Sequence, residues 1–323
     1  MPSSSAESRP RYSTRILLSF ACIYLVWGST YLAMREGVEV LPPFVLASTR
    51  YLVAGPILLG ICFAQGIRIR PTWREFGIEA AIGILMLGCG NSAVIWCEQY
   101  LPSGLAALLV ASVPLWAAVI EVFLPHGEGL SSQGWLGIAM GLVGILLLVW
   151  PGMAQGLHGG DHHQAIAAAV VLGGSFCWTL ASVISRHSKV GLTSFAAAGW
   201  QVLVGGVFSA ILMAFNGGYK GSHWGVQALA SVLYLVFFGS VLTYTAYLYL
   251  LDQVPVAKVA TYAYINPMIA VILGAVILGE RLLRIEYFGM AAILIAVFLV
   301  TSSKLKSGRP AAEVELAPIE NQA

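Results

Sequence analysis

Residues 129–160 read GLSSQGWLGIAMGLVGILLLVWPGMAQGLHGG, with no Asp, Glu, Lys or Arg among them. The same absence recurs over 190–219 and 221–251. A bilayer's hydrocarbon core, about 30 Å thick, needs roughly 20 mostly apolar residues per helical crossing, and each of these stretches supplies one. The rest of the chain agrees. Hydrophobic residues are 58% of the 323 and charged residues 10%, against about 25% charged in an ordinary soluble domain. The solvent for most of this protein is therefore lipid. Crossings are expected near 16–34, 43–63, 77–97, 102–124, 132–150, 165–185, 194–215, 227–250, 256–278 and 285–302, which makes an all-α integral membrane protein of about ten helices. Prolines mark helix starts at Pro43, Pro102 and Pro255, where the missing N–H costs nothing.

Positive charge sets the orientation. Arg9, Arg11, Arg15, Arg68, Arg70, Arg74, Arg186, Lys189, Lys304, Lys306 and Arg309 fall on one side of an even number of crossings. The other side holds Arg35, Lys220, Arg281 and Arg284. The positive-inside rule then places both termini in the cytoplasm. The N-terminal basic stretch resembles a signal peptide, but the apolar run is too long and lacks a small-x-small cleavage site, so a retained first crossing is expected. The net charge of +2 gives no indication of a nucleic-acid partner. The five cysteines lie inside or at the ends of apolar segments and read as small hydrophobes.

The two halves of the chain are copies. At an offset of 153, Pro102 meets Pro255, Ala107 meets Ala260, Pro114 meets Pro267 and Ala117 meets Ala270. Gly127-Glu128 meets Gly279-Glu280 one gap later. Earlier in each half Trp27 meets Trp178, Arg35 meets Arg186 and Gly55 meets Gly206. The expected organisation is a cytoplasmic tail (1–15), a first repeat (16–150), an outer linker (151–164), a second repeat (165–303) and a disordered cytoplasmic tail (304–323). With five crossings per half, the second copy lies upside down relative to the first. Inverted repeats of this kind recur in secondary transporters, with the site at midplane between the copies. The alternative is a duplicated scaffold without transport.

At these residues the chain resembles the EamA-type branch of the drug/metabolite transporter superfamily. LVWGSTYL at 25–32 is similar to that branch's first-helix signature, and Pro43-Phe44 through Arg50-Tyr51 to its second-helix pattern. TYAYINP at 261–267 followed by Gly279-Glu280 is similar to its ninth helix and corner. The resemblance implies ten helices in two inverted five-helix repeats, alternating access, a bacterial inner or plasma membrane location, and outward movement of small metabolites, amino acids or drugs.

The candidate substrate-binding residues are Trp27, Tyr31, Asn91, Trp178, Thr245, Tyr262 and Asn266. Trp27 and Tyr31 share one face of the first helix, and so do Tyr262 and Asn266 of the ninth. An amide in a membrane needs partners, which either a neighbouring helix or a substrate supplies. Pro114 and Pro267 sit mid-span and leave the carbonyls of Val110 and Ala263 without a donor; they read as gating kinks or as packing kinks. Arg50 is a rare intramembrane charge that either snorkels outward or pairs with Glu98. Glu121 is a further candidate for proton coupling. No acid lies at the centre of a span, which favours facilitated transport, or coupling through Glu98 or Glu121, and disfavours a strongly charged substrate. Tyr100 and Tyr249 read as interfacial belt residues, and Lys258 as a snorkelling lysine.

HGGDHH at 158–163 carries metal-capable side chains on flexible glycines that preorganise nothing, so no metal and no cofactor are expected. Gly137 and Gly141 form a GxxxG face, suited to packing within the protomer or in a homodimer. The chain lacks HExxH, GxSxG and phosphate-loop patterns, so a transporter for a small molecule leads over a membrane-embedded enzyme or a channel-like facilitator.

Overall fold

The computed structural model describes residues 13–124, 131–157, 162–188 and 190–307. The expected Gly127-Glu128 corner, most of the histidine loop, Lys189 and most of both tails lie outside the described residues. Among the described residues nine helices are long and apolar enough to cross a bilayer. They are α1 (Thr14–Val38), α2 (Pro43–Ala64), α3 (Trp73–Cys97), α4 (Ser103–Phe123), α5 (Ser132–Leu157), α6 (His163–His187), α7 (Ser194–Phe215), α8 (Val226–Gln253) and α10 (Arg284–Ser307). Between the last two, α9 is assembled from Val256–Val259 and Tyr262–Ile277. Outward-facing side chains such as Leu142, Leu146 and Phe298 would be exposed in water and are at home in lipid.

Packing follows the duplication. The α2 helix lies along α7, and α5 along α10. The α1 helix packs against α8 and α9, and its counterpart α6 against α3 and α4. At the crossing of α2 and α7, a Cβ on Gly55 would come within 2.8 Å of the Leu203 backbone, and a Cβ on Gly206 within 2.9 Å of the Leu52 nitrogen. The repeat offset of 151 carries Leu52 to Leu203 and Gly55 to Gly206, so the two contacts are mates and the helices meet on a local two-fold axis. Gly137 and Gly144 abut α10, and Gly141 abuts Leu115, so the GxxxG face is used within the protomer.

Two features of this duplicated frame were not legible in the hydropathy. Residues Ile84–Asn91 of α3 and Leu235–Leu242 of α8 are π-helical. A π turn displaces the hydrogen-bond ladder by one residue and is common at functional positions. In each case a hydroxyl at the end of the stretch donates to a carbonyl five residues back: Ser92 to Leu87 at 3.0 Å, Thr243 to Phe238 at 2.6 Å. The arginines that close α1 and α6 also act alike. Arg35 donates to the Glu98 carbonyl at the end of α3, and Arg186 to the Leu251 carbonyl near the end of α8. A guanidinium there supplies donors to carbonyls that a helix end leaves unpaired.

The paired prolines behave differently. The α4 helix is interrupted at Ala111 and Ser112, and Pro114 sits in the first turn of the second piece. The interruption of α9 falls at Ala260 and Thr261, and Pro267 stays inside the helix that follows. Two mid-helix kinks were expected. Instead α4 breaks just ahead of its proline and α9 about two turns ahead, because Thr261 holds its own turn by donating from its hydroxyl to the Lys258 carbonyl at 2.6 Å.

Candidate functional site

A cavity of about 50 Å³ lies between the repeats, with room for a few waters as it stands. Its walls come from α1, α2, α3, α4, α6 and α9. Six of the seven expected binding residues line it: Trp27, Tyr31, Asn91, Trp178, Tyr262 and Asn266. Arg50, Thr30, Met34 and Ser175 join them. Thr245 is elsewhere. It lies in a lateral groove with Leu18, Phe195 and Tyr249, and its hydroxyl donates to the Val241 carbonyl at 2.7 Å.

The aromatic residues form a layer at mid-depth. The Trp27 ring is 5.5 Å from Trp178, 5.4 Å from Tyr262 and 5.0 Å from Tyr247, in edge-to-face or tilted contacts. Such pairs add about 0.5–1.5 kcal/mol each beyond area burial. Polar edges are fixed as well. Trp27 Nε1 donates to the Gly239 carbonyl in the π-helical stretch of α8 at 3.2 Å. Trp178 Nε1 donates to Tyr247 Oη at 3.3 Å, and Ser182 shares a hydrogen bond with the same hydroxyl at 2.8 Å. Tyr247 carries no hydropathy signal, since it lies among apolar neighbours. Along α1 the cavity residues Thr30, Tyr31 and Met34 follow Trp27, so the layer lies on the side of the cavity toward the end of the bundle where α1 begins.

Asn266 serves the neighbouring helix. With its amide oriented to satisfy its surroundings, the nitrogen donates to the carbonyls of Tyr24 at 2.8 Å and Ile23 at 3.1 Å. It ties α9 to α1 while standing in the cavity wall.

Arg50 is 3% exposed and neither snorkels nor pairs with Glu98. Its Nε donates to Ser240 Oγ at 2.8 Å and its Nη1 to Asn91 Oδ1 at 3.1 Å; Met34 Sδ lies 3.9 Å from Nη1. Tyr51 Oη donates to the same Asn91 oxygen at 2.5 Å. Among the described residues Arg50 has no acidic partner, the ion pair present being Arg68–Glu75.

Glu98 follows the last residue of α3 and is fully buried. Neither carboxylate oxygen has a hydrogen-bond partner among the described residues. Burial, then the nearby Glu280 carboxylate, pushes this carboxyl well above the usual range, against the pull of Arg35. Glu280 itself caps α4, accepting from Ser103 N at 2.9 Å and Ser103 Oγ at 2.8 Å. Gly279, with φ +67°, makes the left-handed turn that delivers it. Glu121 lies in the last turn of α4, outside the cavity wall. Tyr100 stacks on His163 at 5.0 Å.

The EamA-like transporter family pattern matches residues 14–150 and again 165–302, one match per repeat. The chain belongs to this family. It is 36% identical over 283 residues to the inner membrane transporter YedA of Escherichia coli K12, covering 87% of this chain and 89% of that protein. It is 24% identical to the transporter YvbV of Bacillus subtilis 168, covering 94% and 96%. A protein of E. coli K12 named a probable amino-acid metabolite efflux pump is 22% identical, covering 86% and 91%. A solved crystal structure superposes with a TM-score of 0.66 at 20% identity, covering 91% of this chain and all of the other, which shows the shared fold. This EamA-family chain is thus a multi-pass transporter of small molecules in the bacterial inner membrane.

Proposed function

We propose that the protein is a secondary transporter that moves small metabolites, amino acids or drugs outward by alternating access. The observation that carries this reading is the cavity itself. It lies between two inverted copies and draws its walls from both. An aromatic layer of Trp27, Trp178, Tyr247 and Tyr262 closes it toward one membrane face. Inverted copies can exchange conformations, so the layer that seals one face in this state opens in the other. The loop charges orient the sealed face toward the cytoplasm. The relative named as an amino-acid metabolite efflux pump supports the substrate class and the outward direction. In this reading Trp27, Tyr31, Asn91, Trp178, Tyr262 and Asn266 contact the substrate. The interrupted α4 and α9 supply the moving joints, with Pro114 and Pro267 limiting where they bend. Thr245 plays no part.

The test is flux by purified protein in liposomes against an amino-acid and drug panel, with and without a pH gradient. Trp27→Ala and Asn266→Ala are expected to lower flux several-fold at matched expression. Normal flux in both variants would remove the cavity from the transport path.

A further inference from the structure

Arg50 presents a physical problem. A guanidinium does not lose its proton inside a protein. A buried charge without a partner of opposite sign is strongly unfavourable. Yet its contacts are neutral: a serine hydroxyl, an amide oxygen, a thioether and the face of the Tyr51 ring, 5.1 Å away. The repeat-equivalent position, Gln201, is fully buried and has what Arg50 lacks. Its Nε2 donates to Glu79 Oε2 at 2.5 Å, and Tyr244 donates to its Oε1. The copy that could do without a carboxylate has one, and the copy that needs one faces a cavity.

Two donors remain unused at that wall. Among the described residues nothing accepts from Arg50 Nη2. The Asn91 oxygen takes hydrogen bonds from Arg50 and Tyr51, so its Nδ2 points the other way, and nothing described accepts from it either. Both residues line the cavity. Apart from the tyrosine phenols, Arg50 is the one ionisable side chain in that lining. Trp27, Trp178 and Tyr262 line the same cavity, and Gly239 touches both ends of the arrangement: its carbonyl accepts from Trp27 and its Cα faces Arg50 Nη2.

Building on the transporter reading above, we infer that Arg50 and Asn91 form an anion subsite that receives the carboxylate of the transported solute, with its apolar or aromatic body against Trp27, Trp178 and Tyr262. One positive charge matches one negative charge, so the substrate class is a monocarboxylate rather than a phosphate ester with two charges. The sequence-based expectation disfavoured a strongly charged substrate for want of a fixed counter-ion; Arg50 supplies one for a single negative charge.

The experiment compares phenylacetate with phenylacetamide, and phenylalanine with phenylalaninamide. Each pair differs in charge and hardly in shape. Binding to the purified full-length protein is read from tryptophan fluorescence and thermal shift, and flux from liposomes. The acid of at least one pair is expected to bind at least about thirty-fold more tightly than its amide, the range for a buried charge pair. Arg50→Gln is expected to bring that ratio close to one while leaving amide binding within about three-fold. Should Arg50→Gln fail to fold, Ser240→Ala removes the Nε anchor and is expected to reduce the ratio about three- to ten-fold. A ratio near one in the unmodified protein, a ratio unchanged in the folded variant, or no binding by any of the four compounds would overturn the subsite. Failure of the transport reading looks different: Arg50-dependent binding of the acids without flux keeps the subsite and rejects transport. Flux of neutral or cationic solutes, with no Arg50-dependent binding or flux of either acid, keeps transport and rejects the subsite.

Discussion

Position 50 in the first repeat and position 201 in the second occupy equivalent places on paired helices, yet one is an unpaired cation and the other a neutral amide held by Glu79 and Tyr244. A second contrast lies near the ends of α3 and α8. There the repeat places Glu98 opposite Leu251, each under an arginine from the neighbouring helix. Around these differences the frame is the same in both copies. The glycine contacts on the two-fold axis, the π-helical stretches and the arginine clamps all recur. The comparison separates what the fold requires from what the chemistry requires. Features kept in both copies hold the bundle together and let it change shape. Features present in one copy give the cavity its charge and its polarity.

The largest expected effect tests the shared part. Gly55→Ala and Gly206→Ala each force a Cβ to within 3 Å of backbone across the axis, where little can move aside. Overpacking of this kind costs about 1–3 kcal/mol. Both variants are expected to lower the melting temperature in detergent by similar amounts. A large drop in one and none in the other would show that the axis contact is not equivalent in the two copies.

The next effect separates the two polar sites by sign. Glu79→Met leaves the Gln201 amide without its acceptor, and a buried unsatisfied group costs about 1–3 kcal/mol. It is expected to destabilise the protein. Arg50→Met removes a buried charge that has no partner and fills the space with a side chain of similar length. Such replacements are often neutral or stabilising. It is therefore expected to hold or raise the melting temperature while abolishing any preference for carboxylates. If Arg50→Met destabilises as much as Glu79→Met, the arginine is a structural tie and the contrast between the copies disappears.

How far these differences were visible beforehand depends on the kind of signal. Hydropathy and paired motifs carried the ten crossings and the duplication, because a span's composition must match its solvent over its whole length. Trp27, Asn91, Trp178, Tyr262 and Asn266 were legible as aromatic or amide residues at mid-depth. Thr245 shares that depth, but it satisfies itself on the Val241 carbonyl and looks into a groove. Depth along a helix can be counted from sequence, whereas facing direction depends on the ladder, and the π-helical stretch just before Thr245 rotates it. The same rotation brings Gly239 and Ser240 to Trp27 and Arg50. Ser175 and Tyr247 carried no signal at all. The breaks in α4 and α9 were misplaced because proline shows where a bond is missing, while the interruption falls where local hydroxyls and turns can take up the freed groups.

The smallest effect concerns Glu98, and its sign can be worked out. Its carboxyl is raised in the folded protein by burial and by Glu280, so the folded state holds a proton that the unfolded state releases. Stability from this group is complete below the ordinary carboxylate value of about 4.3. It falls as the pH rises toward the raised folded value. Glu98→Leu, which installs the residue found in the other repeat, is expected to flatten that decline in a pH series of melting temperatures. Glu98→Gln keeps the shape and removes the titration, and should flatten it equally. The transport consequence is separable. If Glu98 carries the coupled proton, both variants retain Arg50-dependent binding but lose the several-fold response of flux to an imposed pH gradient. A flat stability profile with an intact flux response would make Glu98 a buried acid of structural consequence only, and would leave proton coupling to Glu121 or to no residue of this chain.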